Sequence, residues 1–129
     1  TLEKDRRSRD YLYGRLLAVA DLMEGAALKD AGENRQTTAM RMMQRFSEMP
    51  YSTWRDIELA LVPYAARLGS KAGYYEMKIA EIMDMFEGDD FRDNSKLSGE
   101  FLLAYHCQRE DQFRKKEDKN KTEEGEVEE

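Results

Sequence analysis

Between Asp5 and Phe113 the apolar residues return at every third or fourth position, and nowhere do they alternate long enough to make a strand. A period near 3.6 commits the chain to amphipathic helices packed on one another, because only that repeat gathers the apolar side chains on one stripe. The first stripe, Leu12, Leu16, Val19, Met23 and Ala26 or Ala27, predicts a helix over about Asp5–Ala31 with Gly32 as its stop. Gly14 and Gly25 fall inside it. Each is expected to cost about 1 kcal/mol relative to Ala, so each calls for a packing reason such as close helix approach. Ala39, Met42, Met43 and Phe46 predict a second helix over about Asn34–Met49, ended by Pro50, with Ser52 or Thr53 capping the third. That third helix, Trp54–Leu68, is apolar almost all round and is expected to be the central, most buried element, kinked at Pro63 unless a new first turn starts there. After a turn at Gly69–Gly73, the residues Tyr75, Ile79, Ile82, Met83 and Phe86 mark a fourth helix. A polar loop over Gly88–Lys96 follows, and Ser98 caps a fifth helix running through Phe101, Leu102, Tyr105 and Gln108 to about Phe113. The expected fold class is all-α, a compact bundle of about five helices.

With 129 residues, of which 40% are hydrophobic, the chain has room for one domain with a core, placed at residues 1–113. From Arg114 the apolar residues stop apart from Val127, so 114–129 is expected to be a charged, disordered tail. Much of the formal net charge of −6 lies there: without Glu123, Glu124, Glu126, Glu128 and Glu129 the chain holds 22 acids against 21 bases. A nearly neutral body meets a polyanion only where bases gather locally, since screening acts over about 8 Å at physiological salt. No apolar run approaches the roughly 20 residues of a membrane span. The segment Thr1–Asp10 is charged, and a single cysteine cannot form an internal disulfide. The expected setting is a reducing cytoplasm, with no membrane partner.

The only histidine, His106, stands beside the only cysteine, Cys107. Neighbouring helical residues point about 100° apart, which separates a thiol from the base it would need. Ligands for zinc or a di-iron site are too few, and neither a glycine-rich phosphate loop nor a paired-carboxylate signature occurs. No enzyme, cofactor, metal or small-molecule substrate is therefore expected. The arginines say more. Arg6, Arg7, Arg9 and Arg15 cluster in the predicted first helix, and Arg41 and Arg45 lie one turn apart in the second, on a stripe with Thr37 and Thr38. Guanidinium forks suit phosphate oxygens, so the expected backbone contacts are Arg41 and Arg45, then Arg15, Arg67, Lys71 and Arg35. Pairing with nearby acids, or snorkelling over the bundle, is the competing explanation for the same residues. Trp54 and Tyr74 are candidates to stack on a base, although a Trp opening an apolar stripe is more often core.

Three stretches in order carry a resemblance. They are Tyr11-Leu12-Tyr13-Gly14-Arg15-Leu16-Leu17-Ala18-Val19, then Gln44-Arg45-Phe46-Ser47 followed by Pro50 and Trp54, then Leu97-Ser98 leading into Phe101–Glu110. Together they resemble the C-terminal region of the type I-C CRISPR Cascade large subunit, a region that this family also produces alone as a helical small subunit. The likeness spans about residues 10–113 and departs from the family pattern around Ala104, Tyr105, His106 and Cys107, so no family role is carried to His106. It implies a non-catalytic subunit of a crRNA-guided antiviral complex. Such a subunit is present in more than one copy, packs on the backbone and large subunits, and steadies crRNA and target DNA strands in the R-loop. A purely architectural adaptor that touches no nucleic acid is the alternative, suggested by near-neutral charge and 8 Met. A chain beginning at Thr1 suits either a free-standing small subunit trimmed of its initiator Met or a segment cut from a longer chain.

Overall fold

A computed structural model describes the backbone of residues 1–128 and the side chains of residues 1–115. Among the described residues there are six α-helices and no strand: α1 (Arg9–Asp30), α2 (Thr38–Arg41), α3 (Met43–Glu48), α4 (Pro50–Leu68), α5 (Ala72–Asp84) and α6 (Glu100–Glu128). The short α2 and α3 share the span expected of one helix, so the all-α bundle is as anticipated. The disordered tail expected over 114–129 lies, from residue 116 onward, outside the described side chains.

The centre of the bundle is α1, not α4 as its composition suggested. Every residue from Tyr11 to Ala20 is buried, with α6, α4 and α5 packed around it. By contrast α4 buries Trp54, Ile57 and Leu61 on one side and leaves Leu59 73% and Val62 63% exposed on the other. Hydropathy misranked the two because α1 carries Arg15, Asp21 and Glu24 into the interior, each satisfied there by a specific partner. Arg15 Nε donates to Gln108 Oε1 of α6 at 2.8 Å. Asp21 accepts from the Tyr105 hydroxyl at 3.0 Å and from Thr37. Glu24 accepts the Thr38 N–H on both oxygens, at 3.1 and 3.0 Å, which anchors the first turn of α2. Buried polar groups cost little once partnered, and here they set where α2 and α6 sit on α1.

Gly14 lets two helices approach closely. A Cβ there would lie 2.1 Å from the Phe101 carbonyl oxygen and 2.8 Å from Ala104 Cβ, so α1 and α6 touch backbone to backbone. The packing reason expected for Gly14 is therefore present. Gly25, on the same helix, would meet nothing within 4 Å. Gly32 ends α1 as expected, at φ +69°, with its N–H on the Lys29 carbonyl at 3.1 Å.

Two local expectations are corrected. Pro50 stands in the first turn of α4, where its missing N–H leaves no intrahelical bond unmade. Ser52 and Thr53 consequently lie inside α4 and do not cap it; Ser52 instead exchanges hydrogen bonds with Asn94 of the polar loop. Arg6, Arg7 and Arg9 precede or open α1 and serve the fold. Arg6 pairs with Glu100 at 2.7 Å, while Arg9 holds the carbonyls of Asp93, Ser95 and Lys96. Trp54 is fully buried, and Ser98 caps α6 through its hydroxyl on the Glu100 N–H at 3.4 Å, both as anticipated. The core is finished by Tyr13, whose ring meets Phe46, Phe86 and Phe91 with centroids 5.0 to 5.9 Å apart.

Candidate nucleic-acid interface

Of the six bases singled out in the sequence, three meet at one end of the bundle. The C-terminus of α1 runs into Glu33 and Arg35, and the C-terminus of α4 brings Tyr64 and Arg67 beside them. The guanidinium groups of Arg35 and Arg67 lie over the Tyr64 ring at 5.6 and 5.3 Å from its centroid, and both face Glu33, at 3.8 and 3.5 Å. Arg35 also reaches Glu24 at 3.3 Å, and Lys71 reaches Asp30 at 3.1 Å. Cations gather at the ends of α1 and α4 for a local reason, since the unpaired carbonyls of a helix C-terminus favour positive charge. All three side chains remain at least 43% exposed, and their pairs with Glu33 and Asp30 stand in water, where each is worth only about 0–1 kcal/mol, whereas the Glu24 carboxylate that Arg35 also reaches is buried.

The other three fall elsewhere. A break in the helix at Met42 interrupts the one-turn spacing of Arg41 and Arg45. Arg45 pairs with Asp56 at 2.7 Å, and Arg41 contacts the Thr38 hydroxyl at 3.2 Å, with no ion pair among the described residues. Thr37 and Thr38 are buried: the Thr37 hydroxyl caps α2 and binds Asp21, so neither threonine presents a hydroxyl to a ligand. Arg15 is corrected from a surface contact to a core residue, 7% exposed, bonded to Gln108, with its pKa pushed down by burial.

Beside the Arg35/Arg67/Lys71 cluster opens a groove of about 600 Å³ walled by α1, α5 and α6. Leu22, Gly25 and Ala26 of α1 lie along it, with Tyr74 and Tyr75 of α5 and Phe113 of α6. Polar groups on its lining are Lys29, Arg109, Gln112, Lys115 and the buried Asp21 and Thr37. Arg109 is held in place between rings, its guanidinium 5.5 Å from the Tyr105 centroid and 5.7 Å from that of Phe113. Its Nε lies 3.6 Å from Asp21, within ion-pair range yet without a hydrogen-bond partner. Burial, and then the Asp21 charge, push the Tyr105 hydroxyl up to about 12. Tyr105 therefore stays neutral and donates to the carboxylate. Burial likewise raises Tyr75, with Tyr74 and Asp30 adding to it.

The groove was not assembled by sequence reasoning, apart from Tyr74. Its one legible sign is that Arg109 and Phe113, four apart on α6, close the apolar pattern just where the charged tail begins. His106 is exposed and Cys107 buried on the same helix, so they do not form a joint site. No helix among the described residues is long and apolar enough to cross a membrane.

Comparison with protein families matches residues 1–113 to the family described as CRISPR-associated protein (Cas_Csd1). The chain belongs to the Cas_Csd1 family. No curated protein matches it. The matched segment ends where the sequence analysis closed the bundle, and it includes α1 to α5, the cationic cluster, and the groove except Lys115. Membership makes this Cas_Csd1 chain a CRISPR-associated Cascade subunit that acts with other subunits.

Proposed function

We propose that this Cas_Csd1 chain is the small, non-catalytic subunit of a type I-C surveillance complex working in the cytoplasm in antiviral defence. It packs along the backbone and large subunits and further copies of itself, and it holds the strands of the R-loop through sequence-independent phosphate contacts. The observation that carries this reading is the convergence of Arg35, Arg67 and Lys71 at one end of the bundle, each exposed, with Arg67 and Lys71 paired only to the water-accessible Glu33 and Asp30, and Arg35 also to Glu33 and to the buried Glu24. Exchanging an exposed carboxylate partner for a phosphate costs little, and the released counterions favour the exchange. Guide pairing supplies the sequence discrimination. Strand displacement is close to balanced in energy, so a few such contacts tip it. The exposed Leu59 and Val62 of α4 supply an apolar face for neighbouring subunits, which also supports the architectural reading.

The test is charge reversal of Arg35 and Arg67 in the reconstituted complex. Each lost phosphate contact should shallow the salt dependence of single-strand binding by about 0.7 in log–log slope. An unchanged slope with full assembly would leave the architectural adaptor as the better reading.

A further inference from the structure

We infer that the groove between α1, α5 and α6 receives the acidic end, residues 122–129, of a second copy of this chain. This rests on the reading above, in which further copies pack beside one another, and it names the surface that joins them.

Two large rings flank the groove without being used by the core: Tyr74 is 41% exposed and Phe113 48% exposed. Lys78 lies over Tyr74 at 5.9 Å and Arg109 over Phe113 at 5.7 Å, which holds the rings and leaves their remaining surface to a partner. Between them, Gly25 leaves the α1 wall bare, because a Cβ at that position would meet nothing within 4 Å. Three cations stand on this lining against a single carboxylate. Lys29 forms no ion pair among the described residues, and the neighbouring Asp30 pairs with Lys71. Lys115 has an exposed pair with Asp111 at 3.5 Å, and Arg109 keeps its Nε without a hydrogen-bond partner. The carboxylate, Asp21, is buried and accepts from Thr37 and Tyr105, so its acceptors are used within the fold.

Rings between cations call for a segment that is acidic and carries an apolar residue. The chain supplies one. Residues 122–129 hold Glu123, Glu124, Glu126, Glu128 and Glu129, no base, and Val127, the only apolar residue after Phe113. A neutral or basic segment would leave the groove cations without partners. The groove does not take the end of its own chain. Helix α6 continues over Glu100–Glu128, which sets Val127 about 21 Å beyond Phe113 along the axis at about 1.5 Å per residue. The same rod carries that end out to a neighbouring copy. So short a segment buries less than the roughly 1,200 Å² of a stable interface, so free copies join weakly. Two copies seated on one complex meet at an effective concentration of about millimolar order, which makes the same contact persist.

The test uses the full chain and a fluorescein-labelled synthetic peptide of residues 116–129, followed by anisotropy. The peptide should bind saturably, and Tyr74→Ala and Phe113→Ala should each weaken it at least about fivefold, as loss of an interface anchor does. Val127→Ser in the peptide should do the same. Lys29→Glu should weaken the parent peptide, whereas a peptide carrying Glu126→Lys and Glu128→Lys should bind the Lys29→Glu chain more tightly than it binds the wild type. Without that reversal, charge does not select the occupant and the proposal falls. Because Lys29 and both rings are exposed, these substitutions leave the fold intact, and thermal melts of each variant check this. Zero-length carbodiimide crosslinking in the reconstituted complex, on an equal mixture of nitrogen-15-labelled and unlabelled full chain, reads which copy supplies the end. Mixed-isotope links from Lys29 or Lys115 to a glutamate of residues 123–129 are expected; links within one chain alone would show that each groove takes its own tail, and would overturn the proposal. No peptide binding, with the slope change at Arg35 and Arg67 still observed, overturns the groove contact and leaves the strand-holding reading standing. A complex that assembles around a single copy overturns the packing of copies and this contact with it.

Discussion

Gly14 and Gly25 lie on the same face-to-core helix, yet they do opposite things. At Gly14 the α6 backbone presses against α1, so that the Phe101 carbonyl occupies the place of a side chain. At Gly25 the two helices have parted enough that the same addition would meet nothing. The N-terminal half of α1 is therefore sealed, and even Arg15 is interior. The C-terminal half borders a groove and ends among exposed cations. One helix thus divides the molecule into a part that specifies the fold and a part left available for partners.

The sharpest way to break this contrast is Gly14→Ala. A methyl cannot be accommodated 2.1 Å from a backbone oxygen, so α6 must move away from α1 along the most extensive packing in the bundle. The expected loss is about 3 kcal/mol, the upper end of what overpacking a core usually costs. It would be read as a lowered midpoint in chemical denaturation. A variant as stable as the parent would show that the two helices are not in contact there.

Arg15→Ala comes next, at about 2 kcal/mol. The Gln108 carbonyl loses its donor and the buried stem loses its packing. Arg15→Met keeps the stem and removes the desolvated charge, and it should recover most of that loss, because a buried charge is often no better than an apolar isostere. Neither change should alter the salt slope of strand binding. A shallower slope in Arg15→Met would return Arg15 to the set of phosphate contacts.

Arg15 also shows why the sequence was only partly legible. Periodicity found the helical segments, with α2 and α3 read as one, because burial of one stripe is a local property of the chain. It also found the ends that depend on local chemistry, Gly32 and Ser98 among them. Rank of burial was not legible. It depends on which polar residues find partners far along the chain, such as Arg15 with Gln108 and Asp21 with Tyr105, and hydropathy counts those residues as surface. The same blindness mixed core and surface arginines in one candidate set. It left Arg35, Arg67 and Lys71 as scattered names until the ends of α1 and α4 were brought together. The Tyr64 ring between two guanidinium groups, and the groove assembled from α1, α5 and α6, are tertiary facts with no counterpart in spacing.

The smallest effect is the most discriminating, because it has the opposite sign. Gly25→Ala adds the same methyl as Gly14→Ala to the same helix, but into open space and at helical geometry. The substitution removes conformational freedom from the unfolded chain without straining the folded one, so stability should rise by about 0.5–1 kcal/mol. A differential scanning measurement should show a melting temperature higher by a few degrees. If Gly25→Ala instead destabilises, the α1 wall of the groove is closed, and the division of α1 into sealed and open halves fails.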